Sequence, residues 1–133
     1  MKIAPLIISA LLVATPAHAL TITNDMGGIV YLYALRAKQQ EGTVKFDGRC
    51  YSACTLFLAS DRTCVTPNAE FGFHRAYGAS PMAVHRANAL MLRTYPKWVR
   101  AWLQARGGLT SNLKIMPYSY AVRFIRPCPI GGA

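Results

Sequence analysis

Two side chains in this chain carry the residue types for nucleophilic acyl chemistry. Ser52 lies within Gly48-Arg49-Cys50-Tyr51-Ser52-Ala53-Cys54, at an expected strand-to-helix turn. His74 ends the expected strand Ala69 to Phe73, which follows Pro67-Asn68. A hydroxyl beside an imidazole is the minimal kit for a serine nucleophile, because the ring takes the proton as the oxygen attacks. A further piece is Gly27-Gly28, at a turn between a strand and a helix. Such a turn presents backbone N–H groups at a helix N-terminus, which suits a developing oxyanion. The Ala53 N–H stands beside Ser52 in the same way. Each residue also has a plainer role: a serine at a helix start is commonly an N-cap, and a histidine at a strand end is commonly a surface residue.

The elements that must position these groups follow from pattern and punctuation. Leu20-Thr21-Ile22-Thr23 alternates as a strand, and Ile29 to Gln39 has helical spacing with Gly42 as a stop. Thr43 to Phe46 reads as a second strand. Ser52 to Ser60 is a short apolar run in which periodicity does not separate strand from helix, and chain order favours a helix. Arg62 to Val65 and Ala69 to Phe73 read as strands. Ser80-Pro81 reads as an N-cap followed by proline at the first helical position, opening a helix to about Arg93. Pro96 kinks that helix or starts another that Gly107-Gly108 closes. A short helix is expected from Thr110 to Met116, and a strand-like run over Tyr120 to Ile125. The fold class is therefore α/β, one domain with a largely parallel sheet and C-terminal helices. In a parallel sheet the three turns open at one edge, where α/β folds place their sites.

The first residues read as an export signal. Met1-Lys2 precedes an apolar run, and Ala17-His18-Ala19 fits signal-peptidase cleavage after Ala19. The apolar core of about ten residues is short for a membrane span. Residues 20–133 then form a single domain, in the periplasm or secreted. The four cysteines, Cys50, Cys54, Cys64 and Cys128, suggest disulfides in such a compartment. Three pairings are open. The favoured one is Cys50–Cys54, which would clamp the turn carrying Ser52, with Cys64–Cys128, which would tie the tail to the body. Cys-x3-Cys without a nearby histidine pair fits zinc poorly, so no metal is expected. The net charge is +10, and all five acidic residues lie at or before Glu70. The half from Phe71 onward, with no carboxylate side chain, should attract anionic partners such as a membrane surface or an acidic protein, or else is a solvated cationic face. Nothing points to specific nucleic-acid recognition. Tyr95, Trp98 and Trp102 form an aromatic stripe suited to a core or an interface.

These motifs resemble the Clp protease proteolytic subunit and the crotonase-like superfamily, in particular its small exported bacterial branch. The resemblance rests on Gly27-Gly28 at the glycine turn, on Gly48 to Cys54 with Ser52 at the nucleophile, and on Pro67-Asn68-Ala69 through His74. It covers Asn24 to Tyr77. It implies a reduced fold of that type, with Ser52 as nucleophile, His74 as general base, and Gly28 and Ala53 as oxyanion donors. One departure is clear: the family's triad ends in an acid downstream of the histidine, and none exists here. The neighbourhood that would hold it is roughly Lys114 to Ser119. Asp25, Glu70, Asn112, Ser119 or a backbone carbonyl would have to orient the ring instead. The chain is also shorter than Clp subunits, which argues against their barrel-shaped assembly, while a homo-oligomer stays open. The expected function is an exported serine hydrolase of peptide-like substrates that needs no cofactor. The alternatives are a degenerate relative that binds a protein partner, and a cationic protein that binds anionic surfaces.

Overall fold

The structure, a computed structural model, describes residues 18–130. The expected leader lies outside the described residues up to position 17. Five strands form one sheet in the order β1 (Leu20–Asp25), β2 (Val44–Tyr51), β4 (Glu70–Phe73), β5 (Lys114–Pro117), with β3 (Thr63–Val65) also on β2. β1, β3 and β4 all run parallel to β2, and β5 runs antiparallel to β4. The helices are α1 (Val30–Gln39), α2 (Pro81–Thr94), α3 (Lys97–Gln104) and α4 (Tyr118–Ala121), together with a 3-10 helix over Ser52–Ala59. The class is mixed α/β with a mostly parallel sheet. No described helix is long and apolar enough to cross a membrane.

β2 is the axis of the sheet. Val44, Phe46 and Cys50 are fully buried, and β2 takes partners along both edges. Its pairing with β1 shifts register between Ile22 and Asn24, leaving one extra residue in β2. Gly48 sits at that irregularity, where a Cβ would run into the Thr23 carbonyl oxygen. The bulge thus needs a residue without a side chain. Phe46 and Phe71 then meet edge to face at 4.9 Å, and Phe73 packs on Tyr95 at 5.6 Å and on Trp102 at 5.5 Å. These contacts seat α2 and α3 on the sheet. Ser80 caps α2 by accepting from the Ala83 N–H at 3.1 Å, with Pro81 at the first turn, as the dipeptide suggests. Pro96 opens α3 and does not kink α2.

Two expectations for the C-terminal part are corrected. Thr110 to Met116 is not a helix. Its second half is β5, pairing Met116 with Phe71 and Lys114 with Phe73. β4 would otherwise be left with an open edge, and Met116 is fully buried in covering it. Tyr120 to Ile125 is not a strand. α4 and the following turn carry it, with the Ile125 N–H donating to the Ala121 carbonyl at 3.0 Å. The two buried residues there, Ala121 and Ile125, are four apart, which suits one helical face and not one strand face. The disulfides are Cys50–Cys54 and Cys64–Cys128, the favoured pairing. The second is flanked by backbone bonds from Val65 to Arg126 and from Cys128 to Val65, so the tail is laced along β3.

Candidate functional site

The three turns meet at one end of the sheet. Asp25 of β1 is in register with Cys50 of β2, and Tyr51 with Gly72 of β4, so these parallel strands deliver Gly27-Gly28, Ser52 and His74 together. Gly27 has a φ of 84°, and a Cβ there would lie 2.7 Å from the Ala53 nitrogen and 2.8 Å from both the Ser52 Cβ and the Tyr51 oxygen. The glycine turn and the serine turn are therefore in direct contact, and only a glycine permits it. Asp25 holds the first turn by accepting from the Gly27 N–H and the Tyr33 hydroxyl, both at 2.8 Å. Burial first, and then the carboxylate, push the Tyr33 phenol above its ordinary value.

Ser52 has a φ of 56°, making it the one non-glycine residue with a positive φ among those described. Strain of this kind concentrates at functional turns, where the surroundings over-determine the backbone. Several restraints do so here. The Cys50–Cys54 disulfide spans Ser52 by two residues on each side. The fully buried Thr55 donates its hydroxyl to the Ser52 carbonyl at 2.6 Å and lies 2.6 Å from the Tyr95 hydroxyl at the end of α2. No side chain caps the 3-10 helix, so the Ser52 hydroxyl is not spent as an N-cap. Ala53 is in the first turn of that helix, where N–H groups have no intrahelical acceptor.

His74 directly follows β4. Its Nδ1 lies 2.7 Å from the Arg75 carbonyl oxygen, so Nδ1–H donates to the backbone and Nε2 is left as the basic nitrogen. The ring also packs on Tyr77 at 5.2 Å. The loop carrying it is tied down by Arg75 N–H to the Thr110 carbonyl and Ala76 N–H to the Asn88 side chain, each at 2.7 Å. Asp25 and Glu70, the acids among the expected orienting partners, are engaged elsewhere. Asp25 serves the glycine turn. Glu70 accepts a short hydrogen bond from the Tyr51 hydroxyl, whose ionisation is pushed up first by burial and then by that carboxylate. The neighbourhood Lys114 to Ser119 is β5 and the start of α4, and Lys114 turns to the Gly108 carbonyl at 2.8 Å.

No protein-family model matches the chain, and no curated protein matches it.

Gly28, Ser52 and His74 line one cleft of about 310 Å³. Its remaining walls are Ile29, Val30, Tyr31, Ala76, Tyr77, Ala83 and Ala87, so it is mainly apolar. Among the described residues no hydrogen bond joins the Ser52 hydroxyl to His74. Catalytic hydrogen bonds are often long in an empty site and tighten with substrate. A larger groove of about 630 Å³ runs along β1 and α1, but it contains neither Ser52 nor His74. The supporting residues Thr55, Asn88 and Tyr95 carry no spacing signal, since their roles arise only when distant elements meet.

Proposed function

We propose that this protein is an exported serine hydrolase of the Clp protease and crotonase-like type, acting on peptide-like carbonyl substrates through a Ser52–His74 dyad. The observation that carries the reading is Ser52 itself: a strained backbone conformation at a strand-to-helix turn, lining the same cleft as His74 and Gly28. In the proposed reaction the Ser52 oxygen attacks the carbonyl carbon while its proton passes to His74 Nε2. The Gly28 and Ala53 N–H groups hold the oxyanion. The protonated ring then gives its proton to the leaving group, and water repeats the sequence to release the acyl group. The Arg75 carbonyl stands in for the missing acid. It fixes the tautomer, as an acid would, but brings a dipole where an acid brings a full charge. Loss of the acid's contribution costs up to about 10⁴ in rate where it has been removed from a triad. The expected enzyme is therefore slow. Two disulfides fit an oxidising compartment.

The test is covalent labelling of the oxidised protein with a fluorophosphonate probe. Labelling is expected at Ser52, abolished in Ser52→Ala and reduced by at least about 10²-fold in His74→Ala, the usual range for losing a general base. A folded protein that takes no label overturns the hydrolase reading. It would favour the degenerate, partner-binding alternative, which the absence of a carboxylate beside His74 supports.

A further inference from the structure

A second chemical feature lies outside the Ser52 cleft. Arg106 lies over the Trp102 ring at 4.2 Å and 6.0 Å from the Tyr120 ring. Arg123 lies 5.1 Å from the Tyr120 ring and 5.6 Å from that of Phe124. Phe124 in turn stacks on Trp98, with centroids 4.8 Å apart and planes within 4°. These distances join six residues from α3, α4 and their flanking turns into one strip of alternating guanidinium and ring. Arg106 is fixed further by donating to the Trp102 carbonyl at 3.1 Å. Both arginines are exposed and Phe124 is 46% exposed, Trp98 and Tyr120 are half-buried, and Trp102 is buried beneath Arg106. No Asp or Glu follows Glu70, so the elements that build the strip supply no carboxylate to neutralise it.

We propose that this strip is a docking surface for anionic phospholipid. A guanidinium resting on a ring is weakly hydrated; Arg123 presents its N–H edge for bidentate contact with phosphate, and Arg106 presents the N–H groups it does not donate to the Trp102 carbonyl. Aromatic rings beside it favour the depth where headgroup and hydrocarbon meet. A lipid headgroup layer matches this arrangement, since it offers phosphate and apolar surface side by side. Single-stranded nucleic acid fits less well, because it needs open ring faces for base stacking. Here Trp98 and Phe124 spend faces on each other, and arginines cover Tyr120 and Trp102. None of the six residues lines the Ser52 cleft, so docking is independent of the hydrolase reading.

The experiment exploits a property of the chain: its two tryptophans, Trp98 and Trp102, both belong to the strip. The oxidised protein is mixed with vesicles of phosphatidylcholine alone, or of phosphatidylcholine with phosphatidylglycerol, and co-sedimentation is measured at low salt and at about 0.5 M salt. Binding is expected only to the anionic vesicles and is released by salt. Brominated lipid should quench the tryptophan fluorescence of the bound protein. Arg106→Gln with Arg123→Gln should weaken binding about thirtyfold, from two surface cations lost. Arg36→Gln with Lys38→Gln removes the same charge from α1 and should cost much less. Ser52→Ala should bind as the parent does. Circular dichroism confirms that each variant is folded. Equal losses in the two double variants, an absence of quenching, or binding to a single-stranded oligonucleotide in preference to the anionic vesicles would each overturn the proposal.

Discussion

At the scale of single residues, the site is defined by a serine held where serines are rarely found. A left-handed conformation costs a residue with a Cβ about 1–2 kcal/mol, whereas glycine adopts it freely. Ser52 carries that cost next to Gly27, whose own φ of 84° lets the two turns touch. This separates the effect of the hydroxyl from that of the backbone. Ser52→Ala keeps the Cβ and should leave unfolding free energy within about 0.5 kcal/mol of the parent. Ser52→Gly relieves the strain but adds chain entropy to the unfolded state, and should come out between neutral and about 1 kcal/mol more stable. Urea denaturation of the oxidised proteins measures both. If Ser52→Gly were less stable than Ser52→Ala, the serine would not be strained and the main support for a nucleophile would go. His74 makes the complementary point. Its ring is oriented by the Arg75 carbonyl, a partner supplied by the adjacent residue and requiring no acid in the distant half of the chain.

At the scale of elements, the link between the serine turn and α2 is the hydroxyl pair of Thr55 and Tyr95. Tyr95 is almost wholly buried, and burial pushes its phenol far above the ordinary value of 10.0. The folded state therefore keeps the proton that the unfolded chain gives up above pH 10. The contribution of Tyr95 is fully present below pH 10 and is lost as pH rises beyond it. Tyr95→Phe should cost about 1 kcal/mol at neutral pH, the typical worth of one hydrogen bond. That cost should shrink by roughly 1.4 kcal/mol per pH unit above 10, once the parent alone gains from ionising this phenol on unfolding. Tyr33 and Tyr51 remain in both proteins, so their contributions cancel in the difference. A cost that stays constant from pH 8 to pH 11 would mean that this phenol ionises equally in both states. Tyr95 also shows where sequence reading stops. The cap at Ser80, the strand-to-helix turns and the convergence of Gly28, Ser52 and His74 were legible because each depends on neighbours in sequence or on the one-way order of parallel strands. The pairing of Thr55 with Tyr95 was not, because two elements forty residues apart have to meet first. Nor was β5: Lys114 to Met116 follows a turn-rich stretch with no alternation, and becomes a strand only because β4 needs an edge partner. Tyr120 to Ile125 misled in the opposite sense, its aromatic and β-branched residues suggesting a strand while the burial of Ala121 and Ile125 decides for a helical turn.

At the scale of the whole molecule, the two disulfides divide the labour of holding the fold from that of holding the site. Cys64–Cys128 joins residues 64 apart and fastens the tail to β3, so it restricts the unfolded chain more than the short bridge does. Loop-closure entropy assigns it about 4 kcal/mol, against about 2 kcal/mol for Cys50–Cys54, whose partners are 4 apart. The short bridge adds about half as much to global stability but encloses Ser52. Cys50, Cys54 and Cys64 are buried and Cys128 is half-buried, so the paired alanine variants lose some packing in addition to the cross-link. Cys64→Ala with Cys128→Ala should lower the unfolding free energy by about 4 kcal/mol while leaving the labelling rate per folded molecule close to that of the parent. Cys50→Ala with Cys54→Ala should lower it by only about 2 kcal/mol yet slow labelling at Ser52 by about tenfold or more, since a turn no longer clamped relaxes out of its strained conformation. Urea midpoints and fluorophosphonate labelling kinetics, taken on the same samples, give both quantities. If labelling survived loss of the short bridge, the conformation of Ser52 would have to be held by Gly27 and Thr55 alone, and Cys50–Cys54 would have no role in positioning the nucleophile.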